Sequence, residues 1–181
     1  MNAGPFPNQC LVRRIRRWTA LFIVGLVLSG ATALPLETEL GWLAQSFGVD
    51  TAAAPIGDGS LTDWVQRVAQ ALRVTNQKFP FMAYGTDWLA FAHFVIAVAF
   101  VGAWRDPVRN RWLFDFGLIA CVMVIPFALI AGAARGIPLY WRLIDCLFGV
   151  GGAIPLWICR RLALEAERKL DARPASPEIH T

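Results

Sequence analysis

The stretch PLYWRLIDCLFGVGGAIPLWICRR, Pro138–Arg161, decides how the rest of the chain is read. It is mostly apolar and exceeds the ~20 residues that a helix needs to cross a bilayer. Yet Arg142 and Asp145 sit inside it, three residues apart. Its end is marked by Arg160 and Arg161. The segment therefore reads as a membrane span that carries two opposite charges, and Pro155 is a candidate kink.

The rest of the chain repeats the pattern. Of the 181 residues, 56% are hydrophobic and 17% charged, against roughly a quarter charged in a soluble domain. The apolar residues come in blocks, which is the mark of a polytopic membrane protein and not of an unusually apolar soluble core. The eight Trp and twelve Phe suit membrane interfaces. The predicted fold class is all-α: a polytopic transmembrane helical bundle of four spans with one external amphipathic helix.

The basic residues set the expected orientation. Arg13, Arg14, Arg16 and Arg17 precede the first apolar block; Arg105, Arg109 and Arg111 separate two later ones. By the positive-inside rule these lie in the cytoplasm. Residues 1–17 are then a basic cytoplasmic N-terminus, expected to be loose over its first dozen residues because of Pro5 and Pro7. Residues 18–34 form the first span. A secretory signal reading of the same residues is also available, since Ala31-Thr32-Ala33 fits a small-x-small cleavage pattern. It would leave three spans. A retained helix is preferred, because other spans are there to pack against it.

Residues 35–86 form the one long polar insert, expected in the periplasm. AAAPIGDGS (52–60) is a turn-rich linker. An amphipathic helix is expected over 61–78, capped by Ser60 with Asp63 at the third helical position and ended by Pro80. Leu61, Trp64, Val65, Val68 and Leu72 fall on one face at helical spacing. The second span is 87–104. A cytoplasmic turn, 105–111, follows, in which Asp106 before Pro107 is a helix-start signature. The third span is 112–132, with Pro126 as a kink candidate, and 133–137 is a periplasmic turn. After the fourth span, 138–160, residues 161–181 should continue as a helix to about Ala172 and end in a disordered tail. Arg161 with Glu165, and Glu165 with Lys169, are spaced to pair.

Depth follows from the helical rise. If the second and fourth spans both descend from the periplasmic side, Asp87 stands at the mouth and His93 roughly 9 Å deeper. Arg142 is then about 6 Å deep and Asp145 about 10 Å. Arg135 lies in the adjoining turn, with Tyr140 nearby. An unpaired charge at mid-span costs about 2.5–3.5 kcal/mol on insertion scales, so pairing is expected. Arg142 and Asp145 are spaced to pair within one helix, with His93 adding a hydrogen bond between helices. Asp115 is expected to belong to the basic rim of Arg109 and Arg111. The candidate ligand- or proton-binding residues are thus Asp87, His93, Arg135, Tyr140, Arg142 and Asp145. Intramembrane ionisable groups are functional candidates by default, and an imidazole suits proton handling.

Several chemistries are disfavoured. No catalytic residue is proposed, because no GxSxG, Walker, HExxH or paired-carboxylate pattern occurs. Nor is a cofactor or metal expected: His93 is the lone histidine within a span, and a haem or metal wants several converging ligands. Cys10, Cys121, Cys146 and Cys159 form no CxxC pair, and no disulfide framework is expected. The glycines of FGVGGAIP are read as packing, with Gly149 and Ala153 forming a small-xxx-small face; Ala99 and Ala103 are read the same way. The basic clusters are explained by topology, so no nucleic-acid partner is expected. The expected partners are the lipid bilayer and either a second copy of the chain or another membrane protein. Three function classes stay open. The first is a non-enzymatic accessory, assembly or partner-binding subunit of the inner membrane. The second is a small transporter, channel or ligand- or proton-binding protein using the polar layer. The third is a membrane enzyme acting on a lipid or quinone.

Overall fold

The computed structural model describes residues 7–49 and 57–171. They form α1 (Pro7–Ala33), α2 (Leu36–Ser46), α3 (Leu61–Lys78), a 3-10 turn (Pro80–Ala83), α4 (Tyr84–Arg105), α5 (Trp112–Ala134) and α6 (Leu139–Asp171). No strand occurs among them. The expected linker over 52–56 and the tail beyond 171 lie outside the described residues. The loose N-terminal segment is corrected in part: helix α1 already begins at Pro7, whose fixed φ suits a first helical position.

Four helices are long and apolar enough to cross a membrane: Gln9–Ala33, Pro80–Arg105, Trp112–Ala134 and Leu139–Asp171. The shortest has 23 residues, about 35 Å of helix against a hydrocarbon core of about 30 Å. Their outer faces carry large apolar side chains, with Val98, Phe127 and Ile130 all more than 70% exposed. Such a surface suits lipid and not water. Pro126 and Pro155 both sit within continuous helices.

The chain divides into two compact units, one of residues 1–25 with 97–181 and one of residues 26–96. The core of the first is built from α1, α4, α5 and α6. Ile15, Thr19, Phe100, Phe114, Leu156 and Cys159 are wholly buried there. Phe100 stacks at a tilt on Phe22, with ring centroids 4.8 Å apart. Helices α5 and α6 approach closely at Gly149, where an added Cβ would stand 2.5 Å from the Cys121 carbonyl oxygen. Gly152 lies one turn on, with an added Cβ 3.0 Å from the Cys121 sulfur. The small-residue contact is therefore made by Gly149 and Gly152. Ala153, three residues before Leu156, is only half-buried. In α4 likewise Ala103 is buried but Ala99 is exposed, and the packing face runs through Ala97, Phe100 and Ala103.

Between α5 and α6 the chain turns through Gly136, whose φ of +69° suits glycine. Ile137 N–H donates to the Gly132 carbonyl and Gly136 N–H to the Ala133 carbonyl. These two bonds satisfy helix-end acceptors in a Schellman motif. On the other side of α5, Asp106 caps a turn and not a helix. Its Oδ1 accepts from Arg109 N–H at 3.1 Å, and α5 begins only at Trp112. Asn110 holds this turn to α4 by donating to the Gly102 carbonyl at 3.1 Å.

The second unit contains an α2–α3 helical pair. Leu40 and Ala44 of α2, and Val65 and Ala69 of α3, are buried, and Asn76 Nδ2 donates to Glu37 at 2.6 Å. Ser60 Oγ accepts from Asp63 N–H at 3.1 Å and caps α3. The return arm of the expected capping box is absent: Ser60 N–H donates to Asp58 at 2.9 Å. The Asp63 carboxylate, 2% exposed, instead takes Gly57 N–H and the Arg67 guanidinium. The face of α3 that is buried is Asp63, Val65, Gln66 and Ala69. Leu61 is exposed and Trp64, Val68 and Leu72 are half-buried.

Candidate functional site

The six candidate residues fall in both units: Asp87 and His93 in residues 26–96, and Arg135, Tyr140, Arg142 and Asp145 in residues 97–181. Within the second unit, His93 Nδ1 lies 2.7 Å from the Leu89 carbonyl one helical turn back. The imidazole is thereby anchored to its own helix. Helix α1 approaches closely here, since a Cβ at Gly30 would stand 3.0 Å from both His93 Cβ and the Ala90 carbonyl. Asp87, in the first turn of α4, is exposed, and a carboxylate there suits the positive helix end.

Within the first unit, Arg142 turns away from Asp145. Its Nη1 donates to the Leu129 carbonyl of α5 at 3.0 Å. Its stem lies on Gly132, where an added Cβ would come within 2.6 Å of Arg142 Cγ and Cδ. The guanidinium thus sits near the C-terminal part of α5, where the helix dipole favours a cation. Arg142 Nε is buried without a hydrogen-bond partner. The expected intrahelical ion pair is corrected: no salt bridge joins Arg142 and Asp145 among the described residues. The spacing allowed it, but the space over Gly132 drew the arginine to α5. Asp145 is half-buried in the second turn of α6. Arg135 is exposed at the C-cap of α5, and Tyr140 is half-buried in the first turn of α6.

The opposite end of the first unit is dense in arginine, and its pairing differs from the expected one. Asp115 pairs with Arg160 of α6, and Arg111 pairs with Glu167 at 2.9 Å. Asp115 therefore ties α5 to α6 instead of resting among Arg109 and Arg111. Arg16 of α1 donates to the Trp104 and Arg105 carbonyls at 3.0 and 2.9 Å. That satisfies acceptors at the C-terminus of α4 with a cation at its negative pole. Glu165 pairs with Lys169 at 2.6 Å. Arg161 does not join them; it lies over the Trp157 ring, 4.7 Å from the centroid.

Two cavities meet at this end. One, of about 560 Å³, is lined by Arg14, Arg161, Glu165 and Arg168 over Trp157 and Ile158. The other, of about 460 Å³, is an almost wholly apolar groove between α5 and α6, and Trp157 and Ile158 line it too. By sequence, Arg14 is read as an orientation signal and Arg161 as a span end and a partner of Glu165. The i,i+4 step from Trp157 to Arg161 and the i,i+7 step from Arg161 to Arg168 are the signal that they share one face. The four cysteines are free thiols, Cys10 exposed and the others buried. Among the described residues no three His, Cys, Asp or Glu side chains gather closely enough to hold a metal ion.

Helix length and composition mark the chain as a multi-pass membrane protein. Comparison with protein-family models, curated proteins and solved structures finds no match to it.

Proposed function

We propose that this protein is a non-enzymatic accessory or assembly subunit of the bacterial-type inner membrane, with both termini in the cytoplasm and residues 35–86 in the periplasm. The arginine-rich end formed by α1, α5 and α6 supports that orientation. The single observation that carries the partner-binding reading is Asp145. It is a half-buried carboxylate in a membrane-crossing helix, with no ion pair among the described residues. Carboxylates in spans are found paired or facing a polar interior. The reading assigns the missing cation to a helix of another chain or of a second copy.

The test places a photo-crosslinking residue at Ile144 or Phe148, both exposed beside Asp145, in intact membranes. The expected result is one discrete adduct that Asp145→Asn abolishes and Asp145→Glu keeps. An adduct of twice the chain mass identifies a homo-oligomer. A monomer throughout, or adducts indifferent to Asp145→Asn, removes the proposal.

The same reading keeps α1 as a span and not as a cleaved signal. Its support is that Ile15 and Thr19 are wholly buried and that Arg16 caps α4. Intact-mass measurement of the membrane-extracted protein tests it, and a mature chain starting at Leu34 would end it. One observation favours a second reading, ligand binding in the polar layer: Arg142 Nε is buried and unpartnered. An anion-dependent rise in thermal stability, absent in Arg142→Gln, would move the assignment there.

A further inference from the structure

The two cavities that share Trp157 and Ile158 form one amphipathic groove on the first unit. Its polar part is cationic beyond what the protein neutralises. Arg111 and Arg160 are each occupied by a carboxylate, whereas Arg14, Arg161 and Arg168 are in no ion pair among the described residues. The one carboxylate lining that part, Glu165, is engaged by Lys169. Its apolar part runs along α5 and α6 past Cys121, Val122, Val150 and Ala153. Ala153, half-buried in the lining, carries too small a side chain to fill it. Trp157 stands at the junction, a position suited to the boundary between headgroups and acyl chains.

We propose that this groove binds one anionic phospholipid, its phosphate held by Arg14, Arg161 and Arg168 and one acyl chain lying along the α5–α6 groove. Charge complementarity selects the occupant. A zwitterionic lipid brings no net charge to the three arginines, whereas an anionic headgroup brings a phosphate charge that no ammonium of its own offsets. Basic pockets between membrane helices hold anionic headgroups in this manner. Arginine suits the site because its planar fork grips phosphate oxygens in pairs. The stacking of Arg161 on Trp157 fixes one of those forks before the lipid arrives. The site does not depend on the Asp145 reading, which concerns the other end of α6.

The test uses the full chain purified in a mild non-ionic detergent, with dioleoylphosphatidylglycerol, dioleoylphosphatidylcholine and inorganic phosphate as probes. Retained lipid is counted by native mass spectrometry. One phosphatidylglycerol per chain is expected, at least tenfold preferred over phosphatidylcholine, with no displacement by inorganic phosphate. The triple variant Arg14→Gln, Arg161→Gln, Arg168→Gln should lose that preference. A charge-matched control, Arg73→Gln, Arg109→Gln, Arg135→Gln, should keep it. Ala153→Phe, which fills the apolar part, should weaken binding while the arginines remain. Thermal unfolding confirms that each variant is folded. Equal retention of both lipids overturns the proposal, as does an unaffected triple variant or loss in the control. Displacement of the lipid by inorganic phosphate would make it a simple anion site and overturn it as well.

Discussion

Replacing Gly149 by alanine tests a close contact between α5 and α6 in the first unit. The new Cβ would stand 2.5 Å from the Cys121 carbonyl oxygen, where ordinary contact begins at 3.4 Å. The obstructing atom is backbone, so no side-chain rotation relieves it, and α5 and α6 must separate locally by about 1 Å. Overpacking of this kind costs about 1–3 kcal/mol. Alanine also gains roughly 1 kcal/mol of helix propensity over glycine, which masks part of the loss. The control that removes this term is Gly151→Ala, two residues on, where an added Cβ meets nothing within 4 Å. The difference between the two variants should then be about 1–3 kcal/mol in favour of Gly151→Ala. Unfolding in mixed micelles with rising denaturing-detergent fraction measures it. Peptide-level maleimide labelling supplies an independent readout, since Cys121 is 9% exposed and should react faster once the helices part. Equal stabilities with unchanged Cys121 labelling would refute the contact.

Four further outcomes are expected. Arg16→Gln removes the donors to Trp104 and Arg105 and should cost about 1–2 kcal/mol in the same unfolding assay, since each bond from a charged donor is exposed in part. In the second unit, Ser60→Ala should cost about 1 kcal/mol by uncapping α3, read as faster amide exchange over its first turn. The Asp58 carboxyl is held below its usual range by hydrogen bonds from Ser60. Its contribution is therefore complete above the ordinary carboxylate pKa and is lost as pH falls through the lowered value. Ser60 amide exchange, corrected for intrinsic rates, should lose protection over that acid window in the wild type but not in Asp58→Asn. Finally, a double-mutant cycle on Asp115→Asn and Arg160→Gln should show non-additivity of at least about 0.5 kcal/mol, as groups in contact do; additive effects would deny the pair that links α5 to α6.

The helical class and the four crossing helices are legible in the sequence because they rest on the length and composition of single segments. The limits of α3 can also be read locally, from Ser60 before it and Pro80 after it. Helix α2 escaped that reading, although Leu36, Leu40, Leu43 and Ala44 recur at helical steps and Glu37 and Glu39 suit its first turn. Its short length and position in a polar insert concealed the pattern. Side-chain partners were less legible, for a different reason. Spacing offered Arg142 a neighbour at Asp145 and Arg161 one at Glu165. Arg142 instead follows the gap above Gly132, and Arg161 follows the Trp157 ring. Both choices depend on packing that no local window contains. Of the candidate site, the residue types and the helices carrying them were readable, but not what each side chain touches.

The contact between Thr19 and Cys159 spans 140 positions of sequence, and this imposes an order on assembly. Ribosomes extend chains at about 5–20 residues per second, so roughly 7–28 s separate the appearance of the threonine from that of its thiol neighbour. The α5–α6 hairpin, joined by a tight turn, needs no such wait. During that interval the first helix already has α4 as a partner, through Phe22 on Phe100 and Arg16 on the Trp104 and Arg105 carbonyls, and the seal against α6 forms last.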